Sequence, residues 1–169
     1  RITGNLRSMI VPASALRGSN GNESDPDRNI LGPNAINGVW IRGNGRGADL
    51  TLERLYAGEA HEINTYQIYD TLTVNQGYSL TVSPGVVVKF YTDAGLSING
   101  SLQASGTEAL PVVFTSWRDD RYGGDLNLDG YASTAASGVV ASLTIRSPAP
   151  IKPALIASSW ELLPLLYVS

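Results

Sequence analysis

The sequence predicts an all-β solenoid, a stack of short coiled turns, and three observations support this fold class. An apolar–hydroxyl–apolar triplet recurs along the chain, strand-like pieces follow it in the same order, and turn-forming residues separate the pieces. Eighteen glycines, nine prolines and a single methionine in 169 residues also favour a turn-rich β protein over a helical one. We expect about four to five turns of roughly 22–25 residues each.

The repeated triplets give the period of the solenoid. The first three begin 22 and 24 residues apart, and the fourth begins 47 residues after the third, close to two further periods. A unit of this length cannot bury its apolar face alone, so it must stack on its neighbours. The triplets are Leu50–Leu52, Leu72–Val74, Leu96–Ile98 and Leu143–Ile145.

The two central turns contain matching series of strand-like pieces. Leu72–Val74 precedes Leu80–Val82 and Val86–Phe90, and Leu96–Ile98 precedes Leu102–Ala104 and Val112–Phe114. Alternating apolar positions with β-branched and aromatic residues predict a strand for each piece. Glycine, proline and asparagine stand between the pieces, where tight turns require them. Each turn is therefore predicted to contain three strands.

Composition divides the chain into three segments. Residues 1–38 are polar and rich in glycine and asparagine, which predicts an irregular segment or the end of a preceding module. Residues 39–146 form the predicted solenoid, interrupted by an acidic loop at 117–135. Residues 147–169 combine spaced prolines with an apolar tail, interpreted as a cap on the open end of the stack or as an interface for self-association or an adjoining domain. Because the repeat is already present by Leu50, we expect a piece of a longer protein.

Charge and composition exclude several classes of function. A net charge of −3 without a run of lysine or arginine gives no electrostatic footprint for nucleic acid. No stretch approaches the roughly 18 consecutive apolar residues of a membrane span. The absence of cysteine removes disulfides and cysteine-based zinc sites, and the single histidine has no second member for a metal cluster. We expect neither a nucleic-acid partner nor a membrane span.

The central region resembles a known family of solenoids. Tyr66–Phe90 contains two Leu-Thr-Val strands and a Pro-Gly turn, and the pattern continues through Gly95–Thr107, Pro111–Ser116 and Gly123–Gly130. These motifs resemble the right-handed parallel β-helix modules, pectate-lyase-like solenoids, of large bacterial secreted and cell-surface proteins. The resemblance implies a right-handed coil of parallel strands and an extracellular or cell-surface location. It does not imply one function, because adhesins, polysaccharide lyases, glycosidases and inert stalks share this architecture.

The acidic loop carries the strongest chemical pattern. Asp125-x-Asn127-x-Asp129-Gly130 matches the first half of an oxygen-rich calcium loop. A complete EF-hand needs a glutamate at its twelfth position, which is Ala136 here, so an EF-hand is excluded. Upstream carboxylates supply further ligands if the loop folds back, and the alternative is a solvated loop with Asx turns. The predicted Ca²⁺ ligands are Asp119, Asp120, Asp125, Asn127 and Asp129.

The same loop offers a catalytic alternative. Arg118 and Arg121 flank Asp119 and Asp120. The resemblance implies a lyase chemistry in which Ca²⁺ neutralises a uronate and an arginine abstracts a proton, and paired carboxylates are also suited to glycoside hydrolysis. Arginine beside aspartate is more often a surface ion pair, and a substrate groove needs many turns to line it. We therefore favour a role without catalysis and keep these four residues as the catalytic alternative.

The middle residues of the triplets are predicted to form one outward-facing column, because their neighbours point inward. The column comprises Thr51, Thr73, Ser97 and Thr144. Stacked hydroxyls suit ice or a glycan, although outward threonine is also ordinary strand composition.

These patterns together predict a structural or adhesive module of an extracellular or cell-surface protein, with a calcium-stabilised loop and a glycan-type ligand. A calcium-assisted polysaccharide lyase or glycoside hydrolase is the second interpretation. An ice-binding surface is the third.

Overall fold

The computed structural model describes residues 7–12, 36–43, 47–55, 62–130, 132–133, 143–145, 155–157 and 167–168. These residues form thirteen strands and no helix. The strands are β1 (Arg7–Pro12), β2 (Ile36–Arg42), β3 (Leu50–Leu52), β4 (Thr65–Ile68), β5 (Leu72–Val74), β6 (Ser79–Val82), β7 (Val87–Phe90), β8 (Leu96–Ile98), β9 (Ser101–Ala104), β10 (Val112–Ser116), β11 (Leu143–Ile145), β12 (Leu155–Ala157) and β13 (Tyr167–Val168). The part of the chain described contains no helix long and apolar enough to cross a membrane.

The strands form three sheets, and every strand pair in them is parallel. The largest has six strands in the order β1-β2-β4-β7-β10-β12, the second has the order β13-β11-β8-β5, and the third has the order β3-β6-β9. Consecutive strands β4, β5 and β6 each pair with β7, β8 and β9 in the same order. The prediction of an all-β chain with parallel strands is confirmed.

One apolar core lies between the three sheets. Leu72 pairs with Leu96, Leu80 pairs with Leu102, and all four side chains are buried together. The alternation of leucine and valine with hydroxyl residues places the apolar side chains on one face of each strand. Since burial of a leucine or valine side chain contributes about 1.5–3 kcal/mol, this stacked core is the main stabilising element of the described fold.

The first triplet does not occupy the place that the spacing predicted. Leu50–Leu52 pairs with Leu80–Val82 in the three-stranded sheet and not with Leu72–Val74. The carboxylate of Asp49 accepts hydrogen bonds from the backbone N–H and the hydroxyl of Ser79, 30 residues further on, and so aligns β3 with β6. Both sheets use the same apolar–hydroxyl–apolar pattern, so the triplet alone does not distinguish them.

The sheets also extend beyond the predicted solenoid segment of 39–146. β1 lies within residues 1–38 and pairs with β2, while β12 and β13 lie within residues 147–169 and pair with β10 and β11. Residues 1–6 and 13–35 of the polar N-terminal segment and most of the apolar tail fall outside the described residues. The prediction that the tail is a cap or an interface therefore stays a prediction.

The middle strands of the six-stranded sheet, β4, β7 and β10, are buried on both faces, which the alternation did not predict. Every residue of β4, β7 and β10 is buried. The reason is that residues 117–130, here called the acidic strap, fold over the outer face of this sheet. Leu126 of the strap packs against Ile36 and Trp40 of β2 in a second apolar cluster.

The turn between β8 and β9 requires a glycine. A Cβ atom at Gly100 would collide with the carbonyl oxygens of Tyr78 and Asn75. The Tyr78 oxygen is held in place because it accepts a 2.9 Å hydrogen bond from the N–H of Ser101. We expect Gly100→Ala to lower the free energy of unfolding by about 3 kcal/mol, the upper range for overpacking. Urea denaturation checks this value against Asn99→Ala, an exposed neighbour whose substitution should cost less than about 0.5 kcal/mol.

Candidate metal centre

Asp119 attaches the acidic strap to the sheet. Its carboxylate is fully buried and accepts a 2.6 Å hydrogen bond from the hydroxyl of Thr115 in β10. The Arg121 guanidinium donates to both carboxylate oxygens, at 2.8 Å and 3.2 Å. This pairing raises the pKa of Arg121 above its ordinary value. Of the five predicted ligands, Asp119 is thus engaged in holding the strap.

Asp120 has the opposite environment although it is the next residue. Its side chain is 8% exposed, and neither carboxylate oxygen has a hydrogen-bond partner among the described residues. One oxygen each of Asp120, Asp125 and Asp129 lie within 4.8 Å of one another. Burial, followed by the nearby charge of Asp129, raises the pKa of Asp120. A buried carboxylate without donors is unfavourable unless a cation or a proton compensates it.

Asp125 shapes the loop that brings these oxygens together. Its carboxylate accepts backbone hydrogen bonds from Leu128, Asp129 and Gly130 at 2.5, 3.2 and 2.9 Å. The loop is tight enough to place Leu128 and Gly130 at φ values of 61° and 73°. Three converging N–H groups hold Asp125 in one orientation. The predicted Asx turns are therefore present, and they exist together with the acidic cluster.

Asn127 and Asp129 are linked on the far side of the loop. The Asn127 amide donates to Asp129 Oδ2 and to the hydroxyl of Ser133, both at 2.8 Å. The Asn127 amide oxygen is buried and has no hydrogen-bond partner in the described part of the chain. Hydrogen bonds from Ser133 and from the backbone of Ala132 lower the pKa of Asp129, which is therefore ionised at neutral pH. Both residues retain oxygen atoms suited to a hard cation.

Lys89 lies beneath the strap and was not among the predicted site residues. Its side chain is fully buried in β7, and the ammonium group donates a 2.6 Å hydrogen bond to the carbonyl of Gly124. Burial lowers the pKa of Lys89 to about 8, although the charges of Asp120, Asp119 and Asp125 oppose that change. The sequence did contain a signal, because a lysine interrupts the apolar run Val86–Phe90.

The charges and donor atoms of the cluster bear on which kind of ion it could hold. Arg121 balances Asp119, and Lys89 supplies one positive charge against the carboxylates of Asp120, Asp125 and Asp129. With the three carboxylates ionised and Lys89 protonated, two negative charges remain. All the candidate ligands are oxygen atoms, which hard cations such as Ca²⁺ prefer.

The four residues of the catalytic alternative have different surroundings in the structure. Asp119 and Arg121 bond to each other, and Asp120 belongs to the acidic cluster. The Arg118 guanidinium is exposed and lies 5.2 Å from the centre of the Trp117 ring. The structure therefore brings Asp119 and Arg121 together and directs Arg118 elsewhere.

The predicted hydroxyl column is divided between two sheets. Thr73 and Ser97 are aligned in register, with Thr144 next to Ser97 in the same sheet. Thr51 instead lies opposite Thr81 in the three-stranded sheet. The cause is the register that Asp49 sets for β3, so Thr51 is not a member of this column.

A polar groove borders the acidic strap. It has a volume of about 440 Å³ and lies between the strap and the end of the six-stranded sheet. Asn37, Glu62, Asn64, Asp125 and Leu128 are among the residues that line it. Leu128 is 52% exposed at its rim.

The buried Lys89 has a consequence for the pH dependence of stability. An unfolded lysine keeps its proton up to about pH 10.5, whereas folded Lys89 loses it near pH 8. The unfolded chain binds more protons between these values, so this residue makes stability rise with pH across that window. In Lys89→Met we expect a smaller slope of unfolding free energy against pH between about 8 and 10. Urea denaturation at several pH values measures both slopes, and equal slopes would contradict the assignment.

Comparisons with known proteins leave the family of the chain open. No protein-family model matches it, and no solved structure matches it. A stretch of 51 residues, 30% of the chain, is 43% identical to "Protein bark beetle" of Drosophila melanogaster. The matching stretch covers 2% of the length of that protein.

Proposed function

We propose that this chain is a calcium-stabilised parallel β-solenoid module with a structural or adhesive role in an extracellular or cell-surface protein. One observation carries the proposal for calcium. Asp120 is buried, its carboxylate oxygens have no hydrogen-bond partner among the described residues, and it faces Asp125 and Asp129. A bound cation is the simplest compensation for these charges at neutral pH, since the pKa of Asp129 is lowered.

The order of strand pairing supports a solenoid. The chain visits the three sheets in turn through β4, β5 and β6, and then visits them again in the same order through β7, β8 and β9. A coil that adds one strand to each sheet per turn produces this pairing. We propose that the coil is right-handed, as in the β-helix modules that Tyr66–Gly130 resembles.

The ion that we propose for the cluster is calcium and not magnesium. Oxygen atoms on opposite sides of a Ca²⁺ ion are separated by about 4.8 Å, because the Ca–O distance is about 2.4 Å. The oxygens of Asp120, Asp125 and Asp129 fall within that span. Magnesium needs a smaller and nearly ideal octahedron, which an irregular loop is less able to provide. Asn127 and backbone carbonyl groups are the further ligands we propose.

The extracellular location that we propose is compatible with such a calcium site. Extracellular modules bind Ca²⁺ with dissociation constants of about 10⁻⁴ to 10⁻³ M, since that ion is abundant outside cells. Three carboxylates on a surface loop fit this class of site. The proposed ligand of the module is a glycan, and the polar groove that borders the acidic strap is its candidate site.

Thermal melting with and without Ca²⁺ tests the proposed function. We expect saturating Ca²⁺ to raise the thermal midpoint, because a ligand at about 100 times its dissociation constant stabilises the folded state by about 2.7 kcal/mol. Mg²⁺ at the same concentration should have a smaller effect. An unchanged thermal midpoint, together with no heat of Ca²⁺ binding in calorimetry, would contradict the proposed calcium site. A new ultraviolet absorbance on incubation with acidic polysaccharides would replace it with the lyase alternative.

A further inference from the structure

The acidic strap covers part of the sheet that would otherwise face solvent. Leu126 is 5% exposed and packs against Ile36 and Trp40, which are 2% exposed each. Gly123 lies so close to Thr65 that an added Cβ atom would approach the threonine hydroxyl to 2.5 Å. These contacts, with the hydrogen bond from Lys89, hold the strap on the outer face.

The apolar contacts of the strap lie at the edge of the main core: the Trp117 ring lies 4.8 Å from that of Tyr91, which packs on the core from outside. Among the described residues, the core cluster between the three sheets contains no residue of 117–130. The second cluster contains one strap residue, Leu126, against β2. Detachment of the strap therefore removes few apolar contacts and leaves the stacked core intact. Segments with few buried apolar contacts open at a lower free energy than the global unfolding of a protein.

The acidic cluster opposes closure of the strap. One oxygen each of the strap residues Asp120, Asp125 and Asp129 lie within 4.8 Å of one another, and Asp120 is buried without a hydrogen-bond donor in the described chain. Leu126 lies between Asp125 and Asn127 in sequence, so the position of the metal loop and the position of the apolar contact are coupled. A divalent ion bound between the three carboxylates replaces their mutual repulsion with the attraction of each carboxylate to the ion.

We propose that Ca²⁺ is the latch of the strap. The bound ion ties residues 125–129 to Asp120, which follows the anchored Asp119, and so keeps Leu126 on β2. Loss of the ion releases this part of the strap and exposes the face formed by Ile36, Trp40 and Thr65. This inference rests on the calcium site of the proposed function and adds its regulation.

Two neighbouring glycines provide a matched pair of variants. Gly123 and Gly124 both have left-handed backbone, with φ values of 70° and 74°. An alanine at either position therefore carries a similar conformational cost of about 1–2 kcal/mol. Only Gly123→Ala also pushes against Thr65, because no described atom lies within 4 Å of a Cβ at Gly124. Gly123→Ala should displace the strap, and Gly124→Ala should leave it closed in Ca²⁺.

Acrylamide quenching of Trp40 fluorescence reports strap position. The full chain carries Trp117→Phe and Trp160→Phe, so that Trp40 is the only tryptophan. We expect quenching to increase severalfold when EGTA removes Ca²⁺, and to remain high in Ca²⁺ for Gly123→Ala but not for Gly124→Ala. Circular dichroism confirms that each variant keeps its strands.

The outcomes separate this inference from the proposed function. Calorimetric Ca²⁺ binding with the same Trp40 quenching in Ca²⁺ and EGTA would overturn the latch and leave the calcium site standing. No Ca²⁺ binding would overturn both. Equal Trp40 protection in Gly123→Ala and Gly124→Ala would also overturn the latch, because the contact with Thr65 would then have no influence on closure.

Discussion

Asp120→Asn is expected to raise the thermal midpoint in Ca²⁺-free buffer and to abolish the further rise that Ca²⁺ causes. In Ca²⁺-free buffer at neutral pH it should stabilise the protein by about 1–3 kcal/mol, because the amide removes a buried unpaired charge and can donate to the carboxylates nearby. In saturating Ca²⁺ it should abolish the rise of the midpoint, since one charged ligand is missing. Calorimetric melting of both proteins with EGTA and with Ca²⁺ measures both effects.

The pH dependence of the same variant follows from the raised pKa of Asp120. The folded state binds the proton of Asp120 more tightly than the unfolded state does. Its contribution to stability is therefore complete below the ordinary carboxyl pKa of 3.8 and is lost as pH rises through the raised value. Without Ca²⁺, the advantage of Asp120→Asn should grow across that window and then stay constant.

Asp119→Asn is the matched control. Asp119 accepts bonds from Thr115 and Arg121, so its substitution should lower the midpoint in EGTA and in Ca²⁺ while the difference between the two conditions remains. If Asp120→Asn behaved in this same way, Asp120 would be a structural residue and not a metal ligand.

The periodic part of the fold could be predicted from the sequence because local chemistry determines it. The predicted pieces Leu72–Val74 and Leu96–Ile98 coincide with β5 and β8, and Leu80–Val82 and Leu102–Ala104 each lie within a strand. Alternating side chains decide which face is inward, and glycine or proline decides where a strand ends. These decisions need no information about distant residues.

The surroundings of the site residues could not be predicted from the sequence, because contacts between residues far apart along the chain determine them. Asp119 and Asp120 are adjacent and chemically identical, yet one bonds to Arg121 and the other faces the acidic cluster. The path of the chain after β10 gives the two side chains different neighbours. The local composition does not determine that path. The burial of Lys89 likewise depends on Gly124, which is 35 residues away along the chain.

The second large effect is expected for Phe90→Ala. Phe90 is 1% exposed in β7, and its ring stacks on Phe114 with centroids 6.3 Å apart. It lies in register between Ile68 of β4 and Ser116 of β10, at the centre of the six-stranded sheet. Truncation of a buried phenylalanine costs about 3–5 kcal/mol through lost burial and the cavity left behind. Domains are stable by only about 5–15 kcal/mol, so the variant should lose a large part of its folded stability.

Tyr91→Ala supplies the comparison because Tyr91 is the next residue and only partly buried. Its ring stacks on Tyr69 at 4.3 Å and meets Trp117 at 4.8 Å. Each aromatic pair contributes about 0.5–1.5 kcal/mol beyond burial, so we expect Tyr91→Ala to cost about 1–3 kcal/mol in urea denaturation with Ca²⁺ present. A cost equal to that of Phe90→Ala would contradict the assignment of the core, since the aromatic stack outside the sheets would then stabilise the fold as strongly as the apolar interior that the three sheets share.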